Sequence, residues 1–258
     1  MVTVRYETVT KSLSGGLTME HMIEVLNLTK SFGPKTIVDN LSLFVKQGET
    51  FGLLGQNGAG KSTSIDCILG LKKFDVGTVT VLGMDSRKNR KKLFEQVGVQ
   101  LQSSHYQQNI KVYELCEEMS ALYQNPRDYK ELLEQFRLTE FEKQPVEKLS
   151  GGEKQKLSVL LTLIPNPKLL FLDELTTGLD TSARRDVWKL LLNLKKQGVT
   201  ILLTSHYMDE VEMLCDRIVM IQHGKELVAG TVEEVIKLSP YDTLEKAYLW
   251  FMGEELIS

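Results

Sequence analysis

The chain alternates between short apolar runs bounded by turn residues and longer segments whose apolar residues recur at helical spacing. Residues 50–54, 169–172 and 199–204 form apolar runs, which are typical of parallel strands covered on both faces. Residues 62–69 and 183–197 have the periodicity of helices. Further strands are predicted at residues 23–29, 41–46, 78–82, 218–221 and 227–229. This order of elements predicts an α/β fold.

The middle third of the chain differs in pattern from both flanks. Residues 113–124, 129–137 and 157–164 carry apolar residues at helical spacing, with charged residues between them. We therefore predict a helical subdomain at about residues 103–165, inserted into a main domain that spans residues 23–230.

The two ends of the chain lack the alternating pattern of the main domain. Residues 1–22 are polar and weakly patterned, which predicts a disordered N-terminal extension. Residues 231–258 contain the apolar cluster 248–252 and predict a C-terminal helical tail.

Composition and charge exclude several classes of protein. The chain has 31 basic and 34 acidic residues and a net charge of −3, which argues against a nucleic-acid partner because a duplex binder needs a basic face. Cys67, Cys116 and Cys215 are too far apart for a CxxC pair, and they predict neither disulfides nor a zinc site. No stretch reaches the roughly 18–20 apolar residues of a membrane helix, so any membrane partner must be contacted from outside the bilayer.

The segment that follows the first apolar run has the spacing of a phosphate-binding loop. The pattern G-x-x-x-x-G-K-[ST] is matched by Gly55, Gln56, Asn57, Gly58, Ala59, Gly60, Lys61 and Ser62, and Thr63 follows it directly. Glycines allow backbone N–H groups to turn around an anion, and a helix N-terminus adds positive potential. Lys61 is then placed to reach the β- and γ-phosphates, and Ser62 to ligate Mg²⁺. The alternative, a glycine-rich surface turn, is disfavoured by the flanking strand and helix.

Two adjacent acids end the apolar run 169–172. Packing gives no reason for Asp173 and Glu174 at the tip of a buried strand, where ligands of α/β sheets bind. Asp173 is suited to hold Mg²⁺ through water, and Glu174 to orient or deprotonate an attacking water. Taken alone, the pair has an equally good explanation as a solvated strand end.

A second helix start combines a cap with two glycines. Ser150 and Glu153 have the spacing of a capping box, which needs no ligand to explain it. Gly151 and Gly152 expose additional backbone N–H groups at the same N-terminus, which suits a second anion site. Nothing in the sequence requires the two anion sites to face each other within one chain.

Five motifs, in this order along the chain, resemble those of ATP-binding cassette (ABC) transporter ATPases. They are residues 55–63, 149–153, 169–174 and 177–180, and His206. The resemblance covers about residues 23–230, and the ordered set is far more specific than any single motif. It implies a P-loop NTPase (RecA-like) core with an antiparallel β subdomain and an inserted α-helical subdomain. It also implies that two such domains dimerise head to tail, as a homodimer or a heterodimer, around two ATP molecules.

The same resemblance implies a role for each matching residue. Phe32 would stack on adenine, Gln102 would contact Mg²⁺ and communicate with the membrane subunit, and Asp180 would cross the dimer interface. Gln100 is a nearby alternative to Gln102. The implied catalytic residues are Lys61, Glu174 and His206; the implied metal ligands are Ser62, Gln102 and Asp173; and the implied ATP contacts are Phe32, residues 55–63, Gln102, Ser150, Gly151, Gly152 and Asp180.

The chain departs from the family pattern in two places. Leu175 stands where the family usually has proline after its paired acids, but both acids are present. Residues 103–109 lack the commoner acidic and aromatic pattern, so the membrane partner is hard to classify.

The function implied is that of an ATPase that uses ATP and Mg²⁺ to power transport by separate transmembrane permease subunits. The ending around Gly253 is similar to the exporter branch of the family, so we expect export of a drug, peptide or other small molecule. The chain would then work at the cytoplasmic face of the cell membrane. Two alternatives are a soluble ABC-type ATPase that acts on ribosomes or DNA and a non-hydrolysing scaffold gated by nucleotide. The single phosphate loop disfavours the first, and the presence of Glu174 and His206 disfavours the second.

Overall fold

The computed structural model describes residues 21–100 and 106–254. The strands are β1 (His21–Phe32), β2 (Lys35–Lys46), β3 (Thr50–Leu54), β4 (Val76–Val81), β5 (Met84–Asp85), β6 (Val97–Gln100), β7 (Leu169–Asp173), β8 (Thr200–Ser205), β9 (Arg217–Gln222) and β10 (Lys225–Thr231). The helices are α1 (Lys61–Ile68), α2 (Arg90–Phe94), α3 (Val112–Ala121), α4 (Tyr129–Gln135), α5 (Gly151–Leu163), α6 (Thr181–Lys196), α7 (Met208–Leu214), α8 (Val232–Lys237) and α9 (Leu244–Met252), with short 3₁₀ turns at Thr139–Phe141 and Val146–Lys148.

A six-stranded sheet of order β10-β9-β3-β8-β7-β6 forms the centre of the molecule. Its neighbouring strands are parallel except for the β9–β10 pair. Leu170 and Leu172 of β7 face one hydrophobic cluster, whereas Phe171 faces another. Because both faces of the sheet are covered, these strands need apolar residues at successive positions, and this explains the unbroken apolar runs of the sequence.

A four-stranded antiparallel sheet of order β2-β1-β4-β5 covers one face of the central sheet. Val25 and Leu43 of this sheet join Phe51 and Phe171 of the central sheet in one hydrophobic cluster. The strand β1 begins earlier than the sequence predicted. His21 and Met22, the last two residues of the predicted N-terminal extension, lie in β1. The Met22 side chain is only 4% exposed, and its carbonyl accepts a hydrogen bond from the N–H of Leu82. The rest of that extension, residues 1–20, lies outside the described residues.

The helices α3, α4 and α5 and both 3₁₀ turns follow one another between β6 and β7, where the sequence predicted a helical insertion. Leu115, Leu132, Phe136 and Leu160 are buried in the cluster that covers the second face of the central sheet. The molecule is therefore an α/β protein with the predicted parallel core, antiparallel sheet and inserted helices. Within residues 21–100 and 106–254, no helix has the length and apolar character needed to cross a membrane.

Candidate functional site

The strand order brings the predicted catalytic segments to one edge of the central sheet. Strand β8 lies between β3 and β7, with Leu54 opposite Ser205 and Asp173 opposite Thr204. The carboxyl ends of these three parallel strands therefore stand side by side. The residues that directly follow the three strands are Gly55, Glu174 and His206.

The loop after β3 curls around the side chain of its own lysine. The Lys61 Nζ atom donates hydrogen bonds to the carbonyl oxygens of Gly55, at 2.8 Å, and of Gln56, at 3.3 Å. Gly60, the N-cap of α1, has φ +107°. A Cβ atom there would lie 2.6 Å from the carbonyl oxygen of Ile37 on β2, so only glycine fits between the loop and the antiparallel sheet.

The outer part of this loop is open to solvent. Gln56, Asn57, Gly58 and Ser62 are exposed and Thr63 is partly buried, whereas Ala59 is buried beneath the loop. An N-terminus of a helix with exposed residues around it is accessible to a phosphate group.

Three of the predicted catalytic side chains meet at one oxygen atom. The Glu174 Oε1 atom lies 3.3 Å from Lys61 Nζ and 3.8 Å from His206 Nδ1. The side chains of Lys61 and Glu174 are only 4% and 7% exposed, whereas that of His206 is 34% exposed. The carboxylate of Glu174 therefore lies directly beside the Lys61 ammonium group.

Thr204, which the sequence did not single out, joins the two acids. Its hydroxyl donates a hydrogen bond to Asp173 Oδ1 and accepts one of 3.0 Å from the N–H of Glu174. Thr204 and Ser205 end the largely apolar strand β8, and these two hydroxyl residues were the sequence feature that could have indicated this contact.

Glu174 has φ +50°, an uncommon value for a residue with a side chain, and the chain turns there out of β7. Leu175 is 3% exposed, so the residue in the place of the family's proline packs inward.

Ser62 and Asp173 are suited to hold a magnesium ion. Asp173 is 3% exposed at the tip of β7, and within the described chain its carboxylate has the Thr204 hydroxyl as partner and no ion pair. A buried carboxylate without a cationic partner fits a divalent cation. Mg²⁺ commonly takes few protein ligands and keeps several waters. Gln102, the third predicted ligand, lies outside the described residues, and its alternative Gln100 ends β6 and is 8% exposed.

The predicted second anion site lies at the N-terminus of α5. Ser150 and Glu153 form the predicted capping box: Ser150 N–H donates to Glu153 Oε2 at 2.8 Å, and Glu153 N–H donates to Ser150 Oγ at 3.3 Å. A Cβ atom on Gly152 would lie 2.9 Å from Ala183 Cβ, so packing against α6 explains this glycine. A Cβ atom on Gly151 would meet nothing nearer than 3.8 Å. Contacts within the described chain therefore do not explain Gly151.

Within the described structure, no polar contact joins the phosphate loop to the α5 N-terminus. No hydrogen bond or ion pair between described residues connects Ser150, Gly151 or Gly152 to residues 55–63.

Asp180 and Phe32 occupy exposed positions at the ends of elements. Asp180 is the N-cap of α6, and its Oδ1 atom accepts 2.9 Å hydrogen bonds from the N–H groups of Ser182 and Ala183. Phe32 ends β1 and is 49% exposed, with Lys30 Nζ 4.8 Å from its ring centroid. An exposed aromatic ring beside a cation offers a stacking surface to a flat ligand.

The strand order, the inserted helices and the sequence segments at the edge of the central sheet together give the architecture of an ATP-binding cassette, a class of P-loop protein. The model of the family described as "ABC transporter" matches residues 38–177. The chain belongs to the ABC transporter family.

Curated relatives with similar sequences are named as export or resistance proteins. The chain is 41% identical over 219 residues to the Nod factor export ATP-binding protein I of Sinorhizobium fredii (strain NBRC 101917 / NGR234), an alignment that covers 83% of this chain and 64% of that relative. It is 36% identical over 228 residues to the linearmycin resistance ATP-binding protein LnrL of Bacillus subtilis (strain 168), covering 86% and 73%. The chain thus spans less than two thirds of the length of the first of these relatives.

Solved structures confirm the predicted fold. The ATP-binding subunit of an ABC transporter superposes with a TM-score of 0.81 at 24% identity, covering 90% of this chain and 99% of that one. The dimeric structure of the bacterial ABC transporter cassette MJ0796 superposes with a TM-score of 0.71 at 23% identity, covering 81% and 98%. ABC ATPase domains therefore include dimeric examples with this fold.

Proposed function

We propose that this chain hydrolyses ATP to power an ABC exporter from the cytoplasmic face of the cell membrane, bound to separate transmembrane permease subunits. The meeting of Lys61, Glu174 and His206 at one carboxylate oxygen carries the proposal, because hydrolysis needs a base, a cation and a γ-phosphate contact in one place. The names of the relatives favour export, and the cargo would be a drug, peptide or other small molecule.

Binding of ATP would exchange the partner of Lys61. The triphosphate competes with Glu174 for the ammonium group, which lies 3.3 Å from that carboxylate. Once Lys61 contacts the β- and γ-phosphates, the Glu174 carboxylate is released to orient and deprotonate the attacking water. His206, on the neighbouring strand end, then holds the γ-phosphate. The ion pair with Lys61 would thereby keep Glu174 from acting as the base until nucleotide is bound.

Ser62, Asp173 and Gln102 would hold Mg²⁺ beside the phosphates, which neutralises charge that develops on the phosphate oxygens. Thr204 keeps the Asp173 carboxylate oriented through its hydroxyl hydrogen bond. Phe32 would cover the adenine ring from the tip of the β1–β2 hairpin.

A second protomer would complete the site. Ser150, Gly151 and Gly152 of that protomer would present the α5 N-terminus to the γ-phosphate, with Asp180 at the same interface. The surroundings of Gly151 support this arrangement, because a Cβ atom there would meet nothing nearer than Leu179 Cδ2 at 3.8 Å, so contacts within the described chain do not require glycine. Closure of the dimer would reach the permease through Gln102 and the inserted helices. A homodimer and a heterodimer would both satisfy this geometry.

The substitution Glu174→Gln tests the proposed site. The amide keeps the shape of the side chain but cannot accept a proton, so we expect ATP binding without turnover, measured by phosphate release and by binding of a fluorescent ATP analogue. Glu147→Gln, at an exposed position in a 3₁₀ turn, is the matched control and retains turnover. Normal turnover in Glu174→Gln would remove Glu174 from its role.

The soluble alternative, an ATPase acting on ribosomes or DNA, is not favoured, because the curated relatives described above are named for export and resistance.

A further inference from the structure

A buried carboxyl group lies directly behind the catalytic edge of the sheet. Glu210 on α7 is 2% exposed. Its Oε1 atom accepts hydrogen bonds from Thr176 Oγ1 at 2.9 Å and Trp188 Nε1 at 3.1 Å. Its Oε2 atom accepts one of 2.5 Å from Ser205 Oγ. The three donors belong to the turn after β7, to α6 and to the end of β8.

Stability alone does not explain an acid in this position. Burial raises the pKa of Glu210, and the hydrogen bonds from Ser205, Thr176 and Trp188 oppose that shift. A buried acid costs desolvation, whereas an apolar side chain of similar volume would fill the space without that cost. Three donors converging on two oxygen atoms suit an ionised carboxylate, which only accepts hydrogen bonds. The arrangement therefore fixes the relative positions of its donors.

Two of the donors lie within two residues of the proposed catalytic residues. Ser205 precedes His206, and its hydroxyl also accepts a 3.0 Å hydrogen bond from the N–H of Tyr207. Thr176 lies two residues after Glu174, in the turn where Thr177 N–H donates to the carbonyl oxygen of Glu174 at 3.3 Å. The Glu210 carboxylate thus connects the segment that follows Glu174 to the residue that precedes His206.

We propose that Glu210 is a positioning residue for ATP hydrolysis, whose carboxylate holds the Glu174 turn and the His206 turn at the spacing that one γ-phosphate requires. This inference rests on the proposed roles of Glu174 and His206. Glu210 itself does not touch the nucleotide. Its removal displaces two groups that act in the transition state, so it lowers kcat and leaves KM for ATP nearly unchanged.

The test compares steady-state ATP hydrolysis by the full chain and its variants. In Glu210→Gln, Thr176→Val and Ser205→Ala we expect kcat to fall about 10- to 100-fold, the range that a displacement near 1 Å produces, while KM changes less than about twofold. Glu212→Gln is the matched control: it lies on the same helix, and its carboxylate accepts a hydrogen bond from the N–H of Leu244, away from the network. This control keeps the kcat of the parent chain.

The kcat of variants that combine donor substitutions distinguishes a positioning role of Glu210 from a general loss of stability. If both hydroxyls act through Glu210, the double variant Thr176→Val with Ser205→Ala loses less kcat than the product of the single losses. In the Glu210→Gln background, Ser205→Ala then adds little. Multiplicative losses in both backgrounds, or an unchanged kcat with only a lower Tm, would overturn the proposal.

A parallel measurement on His206→Ala distinguishes failure of the role proposed for Glu210 from failure of the proposed catalytic site. A large loss in His206→Ala with normal kcat in Glu210→Gln contradicts the role of Glu210 alone. Normal kcat in His206→Ala contradicts the assignment of the site itself.

Discussion

At the scale of single residues, the buried ion pair between Lys61 and Glu174 is the central feature. Neither side chain is more than 7% exposed, and a buried charge is costly unless it is paired. In the proposed mechanism nucleotide displaces this interaction, which makes Glu174 a competitor for Lys61 as well as the proposed base.

The first prediction concerns this competition. Lys61→Ala removes the phosphate contact and leaves the Glu174 carboxylate buried without its cation, so affinity for a fluorescent ATP analogue falls sharply. Glu174→Gln removes the competing charge and binds the analogue at least as tightly as the parent chain. Lys225→Ala, at an exposed ion pair with Asp39, serves as the control. Weaker binding by Glu174→Gln would contradict the exchange of partners.

The second prediction concerns Glu210 and pH. Burial raises the pKa of Glu210 in the folded chain, with Arg184 on α6 opposing the shift. The folded state then holds this proton more tightly than the unfolded state, so stability decreases as pH rises through the interval between the two pKa values. Glu210→Gln lacks this loss. The difference in Tm between Glu210→Gln and the parent chain therefore shifts in favour of the variant from about pH 4.5 to pH 8; a shift in the opposite direction would contradict the sign.

At the scale of elements, the proposed interface residues also serve as helix caps. Ser150 caps α5 and Asp180 caps α6, each with a side-chain oxygen that accepts from backbone N–H groups. A loss of activity on substituting either residue therefore has two possible causes, and conservative variants are needed to separate them.

The third prediction separates the two roles of Asp180. Asp180→Ala removes both cap hydrogen bonds and lowers the free energy of unfolding by about 1 kcal/mol, measured by denaturant titration. Asp180→Asn retains a cap and has nearly the stability of the parent chain. If Asp180 also acts at a dimer interface, Asp180→Asn loses ATPase activity without losing stability. Full activity in Asp180→Asn would restrict the residue to capping.

At the scale of the whole molecule, the two adjacent glycines at the start of α5 differ in what the fold of one chain requires. A Cβ atom on Gly152 would clash with Ala183 Cβ at 2.9 Å, whereas one on Gly151 would make only an ordinary contact with Leu179 Cδ2 at 3.8 Å. The fold of one chain therefore does not need glycine at position 151, and close approach of another protomer with its bound nucleotide supplies a reason.

The fourth prediction uses this difference. Gly151→Asp places an acid in the first turn of α5, where a helix favours it, so the Tm is maintained or rises. The added charge opposes a γ-phosphate from the second protomer, so the ATP-induced dimer of the Glu174→Gln chain is lost on size-exclusion chromatography with light scattering. Lys154→Asp, one turn further along α5, is the control for added charge. A stable dimer of Gly151→Asp would argue against α5 as the site of closure.

The strands that carry the candidate site and its phosphate-binding segment could be predicted from local patterns in the sequence. The runs that became β3, β7 and β8 are apolar because both faces of the sheet are covered, and this pattern is visible without coordinates. The phosphate loop was predictable because its glycines, lysine and flanking elements are contiguous in the chain. The capping box at Ser150 and Glu153 was predictable for the same reason.

Which of these groups lie close together could not be predicted from local patterns. The order β3-β8-β7 places His206 between the phosphate loop and the paired acids, and strand order depends on long-range packing that local pattern does not encode. Thr204 was missed because its partner Asp173 lies 31 residues away along the chain. Glu210 was missed because two of its partners, Thr176 and Trp188, lie 34 and 22 residues away. From its sequence context, an acid such as Glu210 in the short helix α7 is expected to be exposed. Its burial results from the packing of neighbouring elements, which local pattern does not show. The spacing of residues along the chain determines local secondary structure, whereas the burial of a side chain and its hydrogen-bond partners depend on how the whole molecule packs.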